Sequence, residues 1–294
     1  MQKSAIVWFL ALLFSTTLAH AHSFWINAFE SQGHHSQHAM ISLGWGHALP
    51  MDDILTSHGA RIAIDRFEMV DPQLKHTDLI KPASKLSEAN LTTNDFDLAA
   101  ADLGTQKVAF KKESAKGVYQ LSAVTKPAFY TQYVDKGGRT RIKQKSKDKL
   151  KDIKKVLMSV KHQAFAKSCL TVGRWTDPKP LDHGLEIIPR TDLSEVRVGD
   201  LVEVDVLFHG QPLSATARSI EYITAKSSSF GQSDGFCLMS YIIGGRAQFR
   251  VQSGGQWLIS ANHKEEVTED GPLKALYGKA EQVFNSASLT FVVK

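Results

Sequence analysis

The chain has 294 residues, 43% hydrophobic and 22% charged, the balance of a soluble globular protein with room for one large domain or two ordinary ones. Its formal charge of +5 is concentrated: residues 136–161 hold 11 Lys or Arg against Asp148 and Asp152, so the remainder of the chain is net acidic. That segment contains no aromatic residue, which argues against a nucleic-acid partner; it reads as a solvated face or as a contact for an anionic membrane.

At the start, Lys3 is followed by the apolar run AIVWFLALLF (5–14) and then by Ala19-His20-Ala21. A charged flank, a short apolar run and small residues at the −3 and −1 positions make residues 1–21 a secretory signal peptide. The run is short for a membrane span, and no Cys follows the cut, so the expected product is a periplasmic protein without a lipid anchor. Cleavage after Ala21 makes His22 the first residue, whereas cleavage after Ala19 makes His20 first and His22 third.

Alternation of apolar and polar residues then predicts strands over 23–29, 38–45, 61–69, 107–112, 117–124, 167–172, 185–188, 201–208, 217–224, 236–243, 246–251, 256–262 and 287–293. Residues 74–104 are polar and broken, and read as loop with a helical turn. One helix is expected over 146–162, where Ile153, Val156, Leu157 and Val160 follow a helical spacing. The turn-rich stretch 177–184 reads as a linker. The expected architecture is all-β: an Ig-like β-sandwich over 22–176 with the helix near its end, and a second β-sandwich over 185–294. Cys169 and Cys237 are too few for a disulfide framework, and their pairing stays open.

The new N-terminus carries the chemistry. A free α-amine has an ordinary pKa of about 8 and gives up its proton to a metal near neutrality. With the His22 imidazole it forms a chelating pair of nitrogens suited to nickel, copper or cobalt. A third donor comes from the next strand. If 23–29 and 38–45 form an antiparallel hairpin, a register in which paired numbers sum to 69 sets Phe24 opposite Trp45, Ile26 opposite Leu43 and Ala28 opposite Ile41, all on one face. The same register sets His22 opposite His47, with opposed Cβ atoms roughly 4.5–5.5 Å apart. His34, His35 and His38 form an accessory cluster at the expected turn, and His263 is a further candidate from the second domain.

The stretches HSFWI (22–26) and GWGHALP (44–50) resemble an exported family grouped with periplasmic components of cobalt and nickel uptake. The resemblance extends through LEIIP (185–189), VGDLVEVDVLFHGQPL (198–213), GGQWLISANHK (254–264) and ASLTFVV (287–293). It implies two β-sandwich domains and a metal-handling role, with His22 and His47 as the family-like positions; Ser23 stands where an acidic residue is common. The pair His22 and His47 also resembles the copper brace of lytic polysaccharide monooxygenases, over two residues only. No nucleophile elbow, zinc-protease helix or phosphate loop is present, so no reaction is expected. The expected function is capture of a divalent nickel, cobalt or copper ion and its delivery to a membrane transporter component, with residues 136–161 as a peripheral membrane contact. A metal-free binding module and a copper monooxygenase are the alternatives.

Overall fold

The computed structural model describes residues 22–31, 37–56, 61–83, 89–216, 219–231 and 236–294; the expected signal peptide lies outside them. Strands β1 (Ser23–Ser31) and β2 (His38–Gly46) open the chain, followed by β3 (Ile64–Val70), β4 (His76–Asp78), β5 (Ala89–Thr92), β6 (Asp97–Ala99) and β7 (Gln106–Ala109). Next come β8 (Gly117–Thr125), β9 (Ala128–Asp135), β10 (Thr140–Lys143), the long β11 (Ile153–Val172), β12 (Leu185–Pro189) and β13 (Leu201–Phe208). Last are β14 (Gln211–Pro212), β15 (Tyr222–Ser227), β16 (Leu238–Tyr241), β17 (Arg246–Arg250), β18 (Gly255–Glu266) and β19 (Gln282–Val293).

These strands form three layers, apart from β5 and β6, which among the described residues pair only with each other. A ten-stranded sheet runs β16-β15-β18-β19-β11-β8-β3-β4, with β9 and β10 continuing from the first half of β11. Successive side chains on a strand point to opposite faces, and β11 shows the consequence. Ala164, Ala166 and Leu170 join a core with Phe24, Ile26, Ile41 and Leu43 from the β1-β2-β7 sheet. Phe165, between them, joins a second core with Leu185, Ile187, Val202, Val204 and Val206 from the sheet of β12, β13, β14 and β17. The ten-stranded sheet is thus the shared middle layer of two sandwiches. The two halves of the chain meet within it, where β11 pairs in parallel with β19 from Val160↔Gln282 to Ser168↔Thr290.

The all-β sandwich expectation holds, but the helix expected over 146–162 does not form. Lys147–Lys149 is a single 3-10 turn and Ile153–Val172 is a strand. The register against β9 shifts between Ile153 and Lys155 and again between Val156 and Met158. Each bulge adds a residue to the two-residue period, so inward positions fall at Ile153, Val156 and Ser159, a spacing that imitates a helix turn. Residues 74–104, expected as loop, contribute the short strands β4, β5 and β6. Among the described residues no helix is long and apolar enough to cross a membrane.

Residues 177–184 pack closely against the middle sheet. Leu181 and His183 are buried, the Gln120 side chain donates to the Lys179 carbonyl at 3.0 Å, and His183 Nε2 lies 3.0 Å from the Ser122 hydroxyl. Beside them Lys167 Nζ meets Glu186 Oε1 at 2.7 Å, both side chains 2% exposed, and the Leu181 amide donates to the same oxygen at 2.8 Å. This ion pair ties β11 to β12, hence the middle sheet to the second sandwich. Cys169 and Cys237 are both free thiols, and burial pushes the Cys169 thiol up to about 11.

Breaking one side of a buried pair leaves an uncompensated charge. Lys167→Met is expected to lower stability by about 3–5 kcal/mol. The Lys167→Met/Glu186→Gln double variant should lose clearly less than the sum of the single losses in urea unfolding, and strict additivity would contradict the coupling. Burial, with the Lys167 and Arg66 charges, pushes His183 from 6.5 down to about 3. The unfolded chain therefore takes up this proton first. Stability is full above about pH 6.5 and falls as pH drops toward the folded value. The melting temperature should fall on acidification with a shallower slope in His183→Gln; an unchanged slope would contradict a buried neutral imidazole.

Candidate metal centre

The β1–β2 ladder pairs Phe24 with Trp45, Ile26 with Leu43 and Ala28 with Ile41, and closes at Ser23↔Gly46. This is the register expected from the apolar pattern. The next residues in line, His22 and His47, bring their rings together with centroids 4.2 Å apart and planes tilted by 42°. Trp45 forms the floor: its buried ring lies parallel to His22, with 5.2 Å between centroids and 6° between planes. The His22 and His47 side chains remain 37% and 27% exposed, so the pair opens to solvent.

After His47 the chain turns through Ala48-Leu49-Pro50-Met51 and returns with Asp52 and Asp53. Each aspartate uses one oxygen to hold backbone and turns the other toward an imidazole. Asp52 Oδ1 accepts from the His47 amide at 2.7 Å, and its Oδ2 lies 3.6 Å from His47 Nδ1. Asp53 Oδ1 accepts from the Ile54 amide at 2.7 Å, and its Oδ2 lies 3.2 Å from His22 Nε2. The turn is pinned from below. The Pro50 carbonyl accepts from Trp25 Nε1 at 3.1 Å and from Asn27 Nδ2 at 3.0 Å, and Gln256 Nε2 donates to Asn27 Oδ1 at 2.8 Å. Trp25 and Asn27 alternate with the core residues of β1 yet are themselves buried, bonded to the Pro50 carbonyl of this turn and, for Asn27, to Gln256 of β18. Gly46, at φ +127°, allows the close approach: a Cβ there would sit 1.7 Å from Asp52 Oδ1.

The model of a family described as a domain of unknown function, DUF4198, matches residues 19–265. The chain belongs to the DUF4198 family. A search of curated proteins returns no match. The DUF4198 span takes in the β1–β2 hairpin, both histidines and the turn that carries the aspartates, and stops within β18, before β19.

Among the described histidines singled out in this DUF4198 chain, His22 and His47 come together, and His38 and His263 do not join them. His38 begins β2 opposite Ser31, eight rungs from Gly46 and so roughly 27 Å along the strand from the pair. His263 faces the second core instead: its Nδ1 lies 3.0 Å from Glu221 Oε1, and its ring packs on Phe208. His20, His34 and His35 lie outside the described residues. The sequence reading missed Asp52 and Asp53. They stand in a turn with no periodicity to place them, and their only signal is an acidic pair directly after GHALPM. The carboxylates beside the histidines thus come from this turn and not from position 23, which is Ser.

Among the described residues no three His, Cys, Asp or Glu side chains converge on one point that could hold a metal ion. Among the described residues, the side chains at this site offer two imidazole nitrogens, each with a carboxylate on its flank. A cleft of about 420 Å³ lies at the far end of β1, lined by Phe29, Glu30, Cys169, Trp175 and Lys294 among others, and includes neither histidine. The pair is an exposed surface site, which suits an ion better than an organic molecule buried on most of its surface.

Gly46→Ala is expected to force Asp52 off the His47 amide. The added methyl meets a carboxylate held on backbone, and such overpacking costs about 1–3 kcal/mol. The His47 amide should then exchange with deuterium faster than in the parent, whereas unchanged protection would contradict the geometry at this turn.

Proposed function

We propose that this is a periplasmic protein that captures a divalent transition metal, nickel or cobalt with copper as the alternative, at a processed N-terminus and passes it to a membrane transporter component. The observation that carries the reading is the contact of the His22 and His47 imidazoles at the residue where signal cleavage after Ala21 would create a free amine. Side chains alone supply two nitrogens, and the α-amine of His22 is the third. The metal is cargo in this reading, and no reaction is assigned to the chain.

The exposed setting supports transfer, because a partner can approach an ion held by half-exposed imidazoles without opening the fold. The basic segment supports a membrane contact. All of β10 is exposed, and Ile142, Leu157 and Met158 present apolar surface among its lysines and arginines. Lysine and arginine clusters are drawn to anionic lipid, and apolar side chains anchor them there.

Titration of the processed protein with nickel, cobalt and copper by calorimetry tests the reading. One ion per chain is expected, with binding lost in His47→Ala and in a variant carrying one extra residue before His22. Binding that survives the extra residue would overturn the role of the amine. Absence of binding by all three metals would favour a metal-free module, and copper-dependent cleavage of polysaccharide would favour the monooxygenase.

A further inference from the structure

We propose that Asp53 and Asp52 are positioning residues that fix which ring nitrogen of each histidine faces the metal: Nδ1 of His22 and Nε2 of His47. This rests on the metal-binding reading above. The two histidines are not equivalent in what a ligand nitrogen must do. The α-amine of His22 and its own Nδ1 are separated by Cα, Cβ and Cγ, so an ion held by both closes a six-membered ring. Nε2 lies on the far side of the imidazole and cannot share an ion with the amine of the same residue.

Asp53 Oδ2 lies 3.2 Å from that far nitrogen, an ion-pair contact. Its negative charge favours the proton on Nε2, so Nδ1 keeps its lone pair for the amine's side. At His47 the arrangement is reversed. Asp52 Oδ2 lies 3.6 Å from Nδ1, and the negative charge favours the proton on that nitrogen, leaving Nε2 as the metal-facing atom. Each carboxylate is already anchored through its other oxygen, Asp53 on the Ile54 amide and Asp52 on the His47 amide, both at 2.7 Å. The turn they occupy hangs from Trp25 and Asn27 through the Pro50 carbonyl. The carboxylates are therefore held by backbone and core and can orient the imidazoles before an ion arrives. Carboxylates that orient ligating imidazoles set tautomer and basicity, and their loss typically weakens metal affinity by about 10–100-fold.

The test is the ring-proton tautomer of each histidine in the metal-free processed protein, read from long-range ¹H–¹⁵N couplings above the imidazole titration range. The expected result is the Nε2–H form at His22 and the less common Nδ1–H form at His47. Either histidine in the opposite form overturns the proposal, whatever the affinity for nickel. In Asp53→Asn, whose amide oxygen still accepts from Ile54, the fold should melt as the parent does, the tautomer preference of His22 should weaken and nickel affinity should drop by about 10–100-fold. Unchanged affinity in that variant overturns the positioning role. Failure of the parent protein to bind nickel, cobalt or copper overturns the underlying reading instead, and the tautomer measurement separates the two because it needs no metal.

Discussion

Across β1 and β2, Phe24 faces Trp45, Ile26 faces Leu43 and Ala28 faces Ile41, and all six pack into the first core. A slip by one residue would turn this whole set to the opposite face. Five of the six are large side chains, each stabilising by about 1.5–3 kcal/mol when buried, so the register is fixed by roughly 10 kcal/mol of apolar burial. Nothing that two half-exposed imidazoles contribute approaches that. The pairing of His22 with His47 is therefore a by-product of core packing, and the site inherits its geometry from the hairpin without having to assemble it.

The hairpin is in turn held to the rest of the molecule by polar contacts with β19. Ser288 Oγ donates to the Phe24 carbonyl at 2.6 Å, and Thr290 Oγ1 donates to that of Ile26. Gln256 on β18 reaches Asn27, which shares the Pro50 carbonyl with Trp25. Residues more than two hundred positions apart in sequence thus meet beneath the turn that carries Asp52 and Asp53. On the opposite face of the same sheet the second sandwich is tied in by Lys167 and Glu186. The middle sheet links the two cores, and the N-terminal histidines sit at the edge of this scaffold, supported but exposed.

The parts of this arrangement that follow a strict two-residue period were legible in the sequence. The β1–β2 register, the valine face of β13 and most strand positions come directly from alternation, and the register alone places His22 beside His47. Two kinds of feature were not legible. Bulges near Lys154 and Leu157 shift the period of β11 and disguise a strand as a helix. Residues that act through loops leave no periodic trace, so neither the aspartates of the turn nor the burial of 177–184 against β8 and β11 could be read. Trp25 and Asn27 belong to the second kind, since alternation assigns them outward, whereas the returning turn and Gln256 of β18 meet them there.

The central claim is that core packing delivers two imidazoles to a terminus where processing supplies the third nitrogen. Crystals of the processed protein grown with nickel, and an anomalous difference map recorded at the nickel absorption edge, test it most directly. The account predicts one dominant peak between the imidazoles of His22 and His47, within bonding distance of the terminal amine. A dominant peak elsewhere, with no density between those two rings, would contradict it.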